Sequence, residues 1–162
     1  LKGIFLLFAF PIYKGLCEIV SYKPLLSESL GDFMSFETTF TSYLNDAFRD
    51  FSTSEIQGFC FNLFEPAGNK RIKFGLEIIG SSQFDFDDKN WPCEECWEPE
   101  QRQLMIPVSW SGEEWEECLL KVKNLIINRL NSKSYFVKDL KSAQGIGVGF
   151  VDGELEVLWK NT

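Results

Sequence analysis

Apolar and polar positions keep a distinct spacing in each successive segment after Met34. Phe36, Phe40, Tyr43, Leu44, Ala47, Phe48 and Phe51 recur at three- and four-residue intervals, which puts them on one stripe of an amphipathic helix. Ser35 suits the cap of that helix and Glu37 its positive end. "GFCFNLFE" then alternates, with Phe59, Phe61 and Leu63 against Cys60 and Asn62. "RIKFGLEIIG" sets Ile72, Phe74, Leu76 and Ile78 against Lys73, Gly75 and Glu77. With the turn residues "PAGN" between them, these two runs predict a β-hairpin buried on one face. "QLMIPVSW" alternates Leu104, Ile106, Val108 and Trp110; Pro107 has no N–H for a ladder, so this third strand belongs at an edge or a bulge.

"SGEEWEECLLKVKNLIINRLN" predicts the longest helix. Ser111 and Glu114 have capping-box spacing, acids fill the first turns, and Lys121, Lys123 and Arg129 follow toward the other end, in keeping with the helix dipole. Its buried stripe is Trp115, Cys118, Leu119, Val122, Leu125, Ile126 and Leu130, which leaves Glu113, Glu116 and Glu117 facing outward. "SYFVKDLKSA" predicts a shorter helix or turn. "GIGVGFVDGELEVLW" predicts two strands joined at Asp152-Gly153, a dipeptide that favours a tight hairpin turn. Gly145, Gly147 and Gly149 share one strand face and leave it bare, so a bulky neighbour, a tryptophan or a helix, is expected against it. The sum is an α+β domain over residues 34–162, a mainly antiparallel sheet of about five strands with two main helices packed on one face.

Residues 1–33 fit this pattern poorly. Lys2 and the apolar run from Gly3 to Tyr13 resemble a targeting segment, but "YKGLCE" restores a lysine and puts Leu16 before Cys17, where a lipoprotein cleavage site needs a small residue. The run is far shorter than the ~20 apolar residues of a spanning helix. "MSFETTF" reads as a natural start, and Gly31-Asp32 can be encoded by a ribosome-binding sequence just upstream of the Met34 codon. We therefore expect residues 1–33 to be a non-native extension or a targeting-like segment, and the 162-residue chain to hold a single domain.

Charge changes the picture more than size does. The formal net charge is −8, and it is concentrated. Asp85, Asp87, Asp88, Glu94, Glu95, Glu98, Glu100, Glu113, Glu114, Glu116 and Glu117 face only Lys89 and Arg102 in the same stretch. Such a field repels phosphate backbones and draws in cationic partners, so nucleic acid is not an expected partner; with the apolar run too short to span, no membrane is expected either.

The candidate chemistry is thin. The chain contains no histidine, which removes the usual general base and the common nucleophile systems. Its five cysteines, Cys17, Cys60, Cys93, Cys96 and Cys118, follow no disulfide rhythm and suit a reducing cytosol. Cys93 and Cys96 form C-x-x-C, half of a zinc site, but only single thiols are left to complete it. Glu94 and Glu95 between them disfavour a redox thiolate. "DFDDKN" offers hard oxygen ligands without the glycine and distal glutamate of a calcium loop. "GIGVGF" lies within a strand, where its glycines open no phosphate-binding helix. No cofactor is expected.

The tryptophans around the acids suggest recognition instead. Trp110 and Trp115 are expected in the core; Trp91 and Trp97, set among prolines and acids, are expected as interface anchors. In its short α+β build, its loop "DDKNWPCEECWEPE" and its ending "GVGFVDGELEVLW", the segment 34–162 resembles the small acidic immunity proteins that bacteria pair with secreted or contact-delivered toxins. That resemblance implies a cytoplasmic protein that binds a cognate toxin, often a basic nuclease, and blocks its active site with carboxylates. The expected partner-binding set is Asp85, Asp87, Asp88, Trp91, Glu94, Glu95, Trp97, Glu98, Glu113, Glu116 and Glu117. The alternative is a metal-binding protein or metal-assisted hydrolase using Cys93, Cys96 and carboxylates.

Overall fold

The computed structural model describes residues 35–52, 55–67 and 71–161, so the expected extension over residues 1–33 lies outside the described residues. Helix α1, Phe36–Ala47, forms where the apolar spacing places it, and the Ser35 hydroxyl caps it by accepting from the Thr38 N–H. Phe40 and Leu44 are fully buried. The helix ends before the stripe does, yet Phe48 and Phe51 still pack ring to ring, 5.1 Å apart, from the segment beyond it.

The predicted hairpin is present. Strands β1 (Gly58–Phe64) and β2 (Ile72–Ser81) pair antiparallel from Gly58↔Ser81 to Phe64↔Gly75. Two further strands share the other side of β2: β3 (Glu95–Trp97) at its Ser81 end and β4 (Gln103–Pro107) at its Ile72 end. Pro107 thus sits on an edge strand, as its missing N–H requires. Beyond it the chain does not continue as a strand to Trp110 but coils into the single-turn helix α2, Val108–Ser111.

The long helix α3 spans Trp115–Leu130. The expected capping box does not form: Glu114 is the N-cap without a side-chain bond, and the buried Ser111 hydroxyl donates to the Gly112 and Pro107 carbonyls. Gly112, at φ 79°, turns the chain between α2 and α3, a conformation that residues with a Cβ rarely adopt. Helix α4 (Phe136–Leu140) and strands β5 (Gly145–Phe150) and β6 (Glu156–Lys160) complete the domain. The turn after β5 runs over five residues, 151–155, rather than the two-residue Asp152-Gly153 turn expected.

The sheet is mixed. Its order is β3-β2-β1-β5-β6, with β4 beside β2, and β5 runs parallel to β1 from Gly58↔Gly145 to Leu63↔Phe150. The remaining pairings are antiparallel, so the expected mainly antiparallel sheet of about five strands is a six-stranded one with a parallel pair at its centre. A parallel pair needs a long crossover, and β2 through α4 supply it. Strand alternation is the same for either direction, which is why local pattern alone did not reveal the parallel pair.

One buried cluster joins Phe59, Phe61, Leu63, Phe74, Leu76 and Ile78 to the buried side chains of α1, α3 and α4. A second gathers Cys60, Ile79 and Trp91, with Phe84 and Leu155 against them. Since alternate strand residues point to opposite sides, the two clusters occupy opposite faces of the sheet.

Candidate functional site

The expected site residues separate into two groups at opposite ends of β2. At the Ser81 end, Asp85, Asp87 and Asp88 are exposed, and two of them make local turns. The Asp85 carboxylate accepts from the Asp87 N–H and the Asp88 carboxylate from the Asn90 N–H, each at 2.9 Å. A 3₁₀ turn, Trp91–Cys93, leads into β3, so the stretch read from sequence as a loop contains sheet.

Trp91 is not a surface anchor, contrary to its expected place. It is 2% exposed and lies over β1 and β5 where glycines leave room. A Cβ at Gly58 would stand 2.6 Å from its ring, and one at Gly147 would stand 3.1 Å away. Trp91 is the bulky neighbour that the glycine face calls for, and Phe84 fills the place over Gly145. The Ser81 hydroxyl donates to the Trp91 carbonyl at 2.6 Å, fixing the turn to β2. Trp97 is half-buried, its ring 5.3–5.8 Å from Phe48, Phe51 and Phe59, so it closes the core rather than standing free.

The glutamates here are also engaged. Arg102 donates through Nε to Glu77 at 2.8 Å, through Nη1 and Nη2 to Glu95 at 2.7 and 2.9 Å, and through Nη1 to Glu98. Glu77 is buried in β2, and the Arg102 guanidinium is held above its ordinary pKa by the Glu77 hydrogen bond, with Glu95 adding to it. Glu77 also lies opposite Asn62, whose Oδ1 accepts from the Cys60 thiol at 3.0 Å. Arg102 thus ties the acidic segment to the second face of the sheet.

The thiols do not converge. Cys93 and Cys96 are exposed, whereas Cys60 and Cys118 are buried in clusters on opposite faces. Burial pushes the Cys118 thiol up to about 12 and the Cys60 thiol higher still; burial and the nearby Glu55 and Glu95 also raise Cys96. Among the described residues no three of His, Cys, Asp and Glu are placed to hold a metal ion. No helix among them is long and apolar enough to cross a membrane.

The other end of β2 is organised differently. The Lys73 ammonium donates to the Glu113 carbonyl, which places the start of α3 there. Glu113, Glu116 and Glu117 are exposed as expected, with Glu117 paired to Lys121 at 2.7 Å. Trp115 is not in the core: it is 51% exposed. It is the first residue of α3 and lies beside Phe150, the last residue of β5, at the end of the sheet. Its ring meets Phe150 at 6.2 Å and 89°. Trp110, by contrast, is half-buried and packs against the core from its rim, its ring 4.4 Å from Phe36 at a tilt of 46° and its N–H donating to Glu37 at 2.6 Å.

Beside Trp115 opens a groove of about 800 Å³, lined by Phe64, Leu119, Phe150 and Val151 and by the acidic residues Glu65, Asp152, Glu154 and Glu156. Glu156 pairs with Lys123; Glu65, Asp152 and Glu154 make no ion pair among the described residues. The sequence reading missed this constellation. Its signal lies in the acids that follow β1 and β5, which converge only when those strands are known to run parallel. From Lys73 to Ser81, β2 spans about 26 Å between the ends at which the two acidic regions lie. No family model, curated protein or solved structure matches the chain.

Proposed function

We propose that the domain is a non-enzymatic binding protein of the immunity type, which acts in the cytoplasm by holding and neutralising a cationic partner, a basic cognate toxin. The observation that carries this reading is the groove beside α3. There the exposed Trp115 and the partly buried Phe150 adjoin the acidic residues Glu65, Asp152 and Glu154, which have no counter-ion among the described residues. Charge of one sign around apolar surface speeds the approach of a partner of opposite charge, while a desolvated aromatic supplies affinity. Glu113 and Glu116 at the start of α3 extend the same field.

The test is co-expression with the toxin-like reading frame beside its gene. Growth of the host should be restored, and a stable complex should form whose association rate falls as salt is raised. A toxic product that is neither bound nor neutralised, or a neighbourhood holding only biosynthetic genes, would sink the reading. The metal-assisted alternative at Cys93 and Cys96 has no third ligand to support it among the described residues.

A further inference from the structure

The two acidic regions differ in how far their side chains are engaged among the described residues. At the Ser81 end, Glu95 and Glu98 are bound to Arg102, the Asp85 and Asp88 carboxylates close turns, and both tryptophans pack inward. At the α3 end, Trp115 is half exposed. Its contact with Phe150 is perpendicular, and Trp115 lines the groove with half of its surface exposed.

We infer that this groove is the contact site and that it receives an arginine side chain of the partner, with the guanidinium stacked on Trp115 and hydrogen-bonded to the carboxylates lining the groove. The inference rests on the reading of the domain as a binder of a cationic protein and narrows it to one place and one side chain. Three features of the groove match arginine. An indole face attracts a cation, and a planar guanidinium can lie flat on it. Asp152 and Glu154, both in or beside the turn after β5, together with Glu65 after β1, offer acceptors suited to the guanidinium's fork of donors. Phe64, Leu119 and Val151 give the arginine stem and its apolar neighbours a surface to cover. Lysine fits less well, because its ammonium is a compact, strongly hydrated point charge that does not stack. A phosphate-bearing partner is disfavoured by the same carboxylates.

The test is a titration of the isotopically labelled full chain with the peptide acetyl-Leu-Arg-Gly-Arg-Leu-amide, followed by NMR. Matched peptides carry citrulline or lysine in place of both arginines; citrulline keeps the shape and removes the charge. Saturable shifts are expected at the Trp115 indole N–H and at the Val151 and Gly153 amides. Affinity should fall at least ~10-fold with citrulline and in Trp115→Ala, fall by less with lysine, and be largely kept in Trp115→Phe. Because Trp115 lies on the surface, the spectrum of each variant should otherwise be that of the parent chain. Saturable shifts confined to residues 85–98 would overturn the inference and leave the cationic-partner reading standing. Absence of saturable binding by either charged peptide at either end would count against both. Equal affinity for citrulline or for lysine would overturn the assignment of arginine.

Discussion

Trp91 and Trp115 occupy opposite ends of the same sheet, one 2% and the other 51% exposed, and the residues around each explain the difference. Trp91 has glycines beneath it at Gly58 and Gly147 and a serine hydroxyl on its carbonyl. Its indole N–H is buried without a partner among the described residues, a cost that its close packing must offset. Trp115 has a helix on one side and the end of the sheet on the other. The acids divide in the same way: around Trp91 several are tied to Arg102 or to turns, and around Trp115 several have no counter-charge among the described residues. A run of acids and tryptophans in a sequence can therefore be architecture at one end of a strand and an open surface at the other.

The sharpest way to break this comparison is to truncate both rings. Trp91→Ala should destabilise the domain by about 3–5 kcal/mol, as for other buried aromatics, while Trp115→Ala should stay within about 0.5 kcal/mol. Urea unfolding of the two variants would refute the contrast if their midpoints moved equally. Next in size, Gly58→Val should cost about 1–3 kcal/mol through overpacking against the indole. That cost should shrink in a Trp91→Leu background, since the two sites share one contact; a fully additive double variant would show that the glycine serves some other purpose.

A smaller effect is expected at Arg102. Arg102→Met leaves Glu77 buried without its cation and should cost about 1–2 kcal/mol, moderated by the partial exposure of the guanidinium. Hydrogen exchange should then accelerate in β3 and leave the groove unaffected. The smallest concerns pH. The Trp110 N–H, ahead of the Glu37 backbone and Ser35, holds the Glu37 carboxyl below its ordinary 4.5. A lowered folded pKa means that this contribution to stability is fully present above 4.5 and is lost as pH falls through the folded value. Trp110→Phe should therefore flatten the acid limb of the stability profile, and an unchanged limb would show that the bond adds nothing.

What the sequence disclosed follows the range of the interactions involved. The stripe from Phe36 to Phe48 and the alternation of β1 and β2 are set by neighbours a few residues away, and both are present in the fold. The bare glycine face implied a bulky partner, but only long-range packing selects Trp91 for that place. Ser111 and Glu114 have the spacing of a capping box, yet the turn at Gly112 separates them. Trp115 follows the helical period faithfully; its exposure depends on where β1 and β5, both distant from it in the chain, come to an end, which no periodicity records. Glu65, Asp152 and Glu154 meet at the groove for the same reason, because β1 and β5 run side by side in one direction.

That parallel pair also sets a timetable. β5 is needed at the centre of the sheet, directly against β1, but it is made about 90 residues later, which at ribosomal speed is on the order of 5–20 s. Throughout that interval the inner edge of β1, with its run of phenylalanines, has no permanent neighbour. The β1–β2 hairpin therefore has to wait, open to chaperones and to other nascent chains, until Phe150 has left the ribosome. Because that interval lengthens as synthesis slows, slower translation at constant temperature should favour aggregation of just this intermediate, and faster synthesis should raise the yield of folded domain.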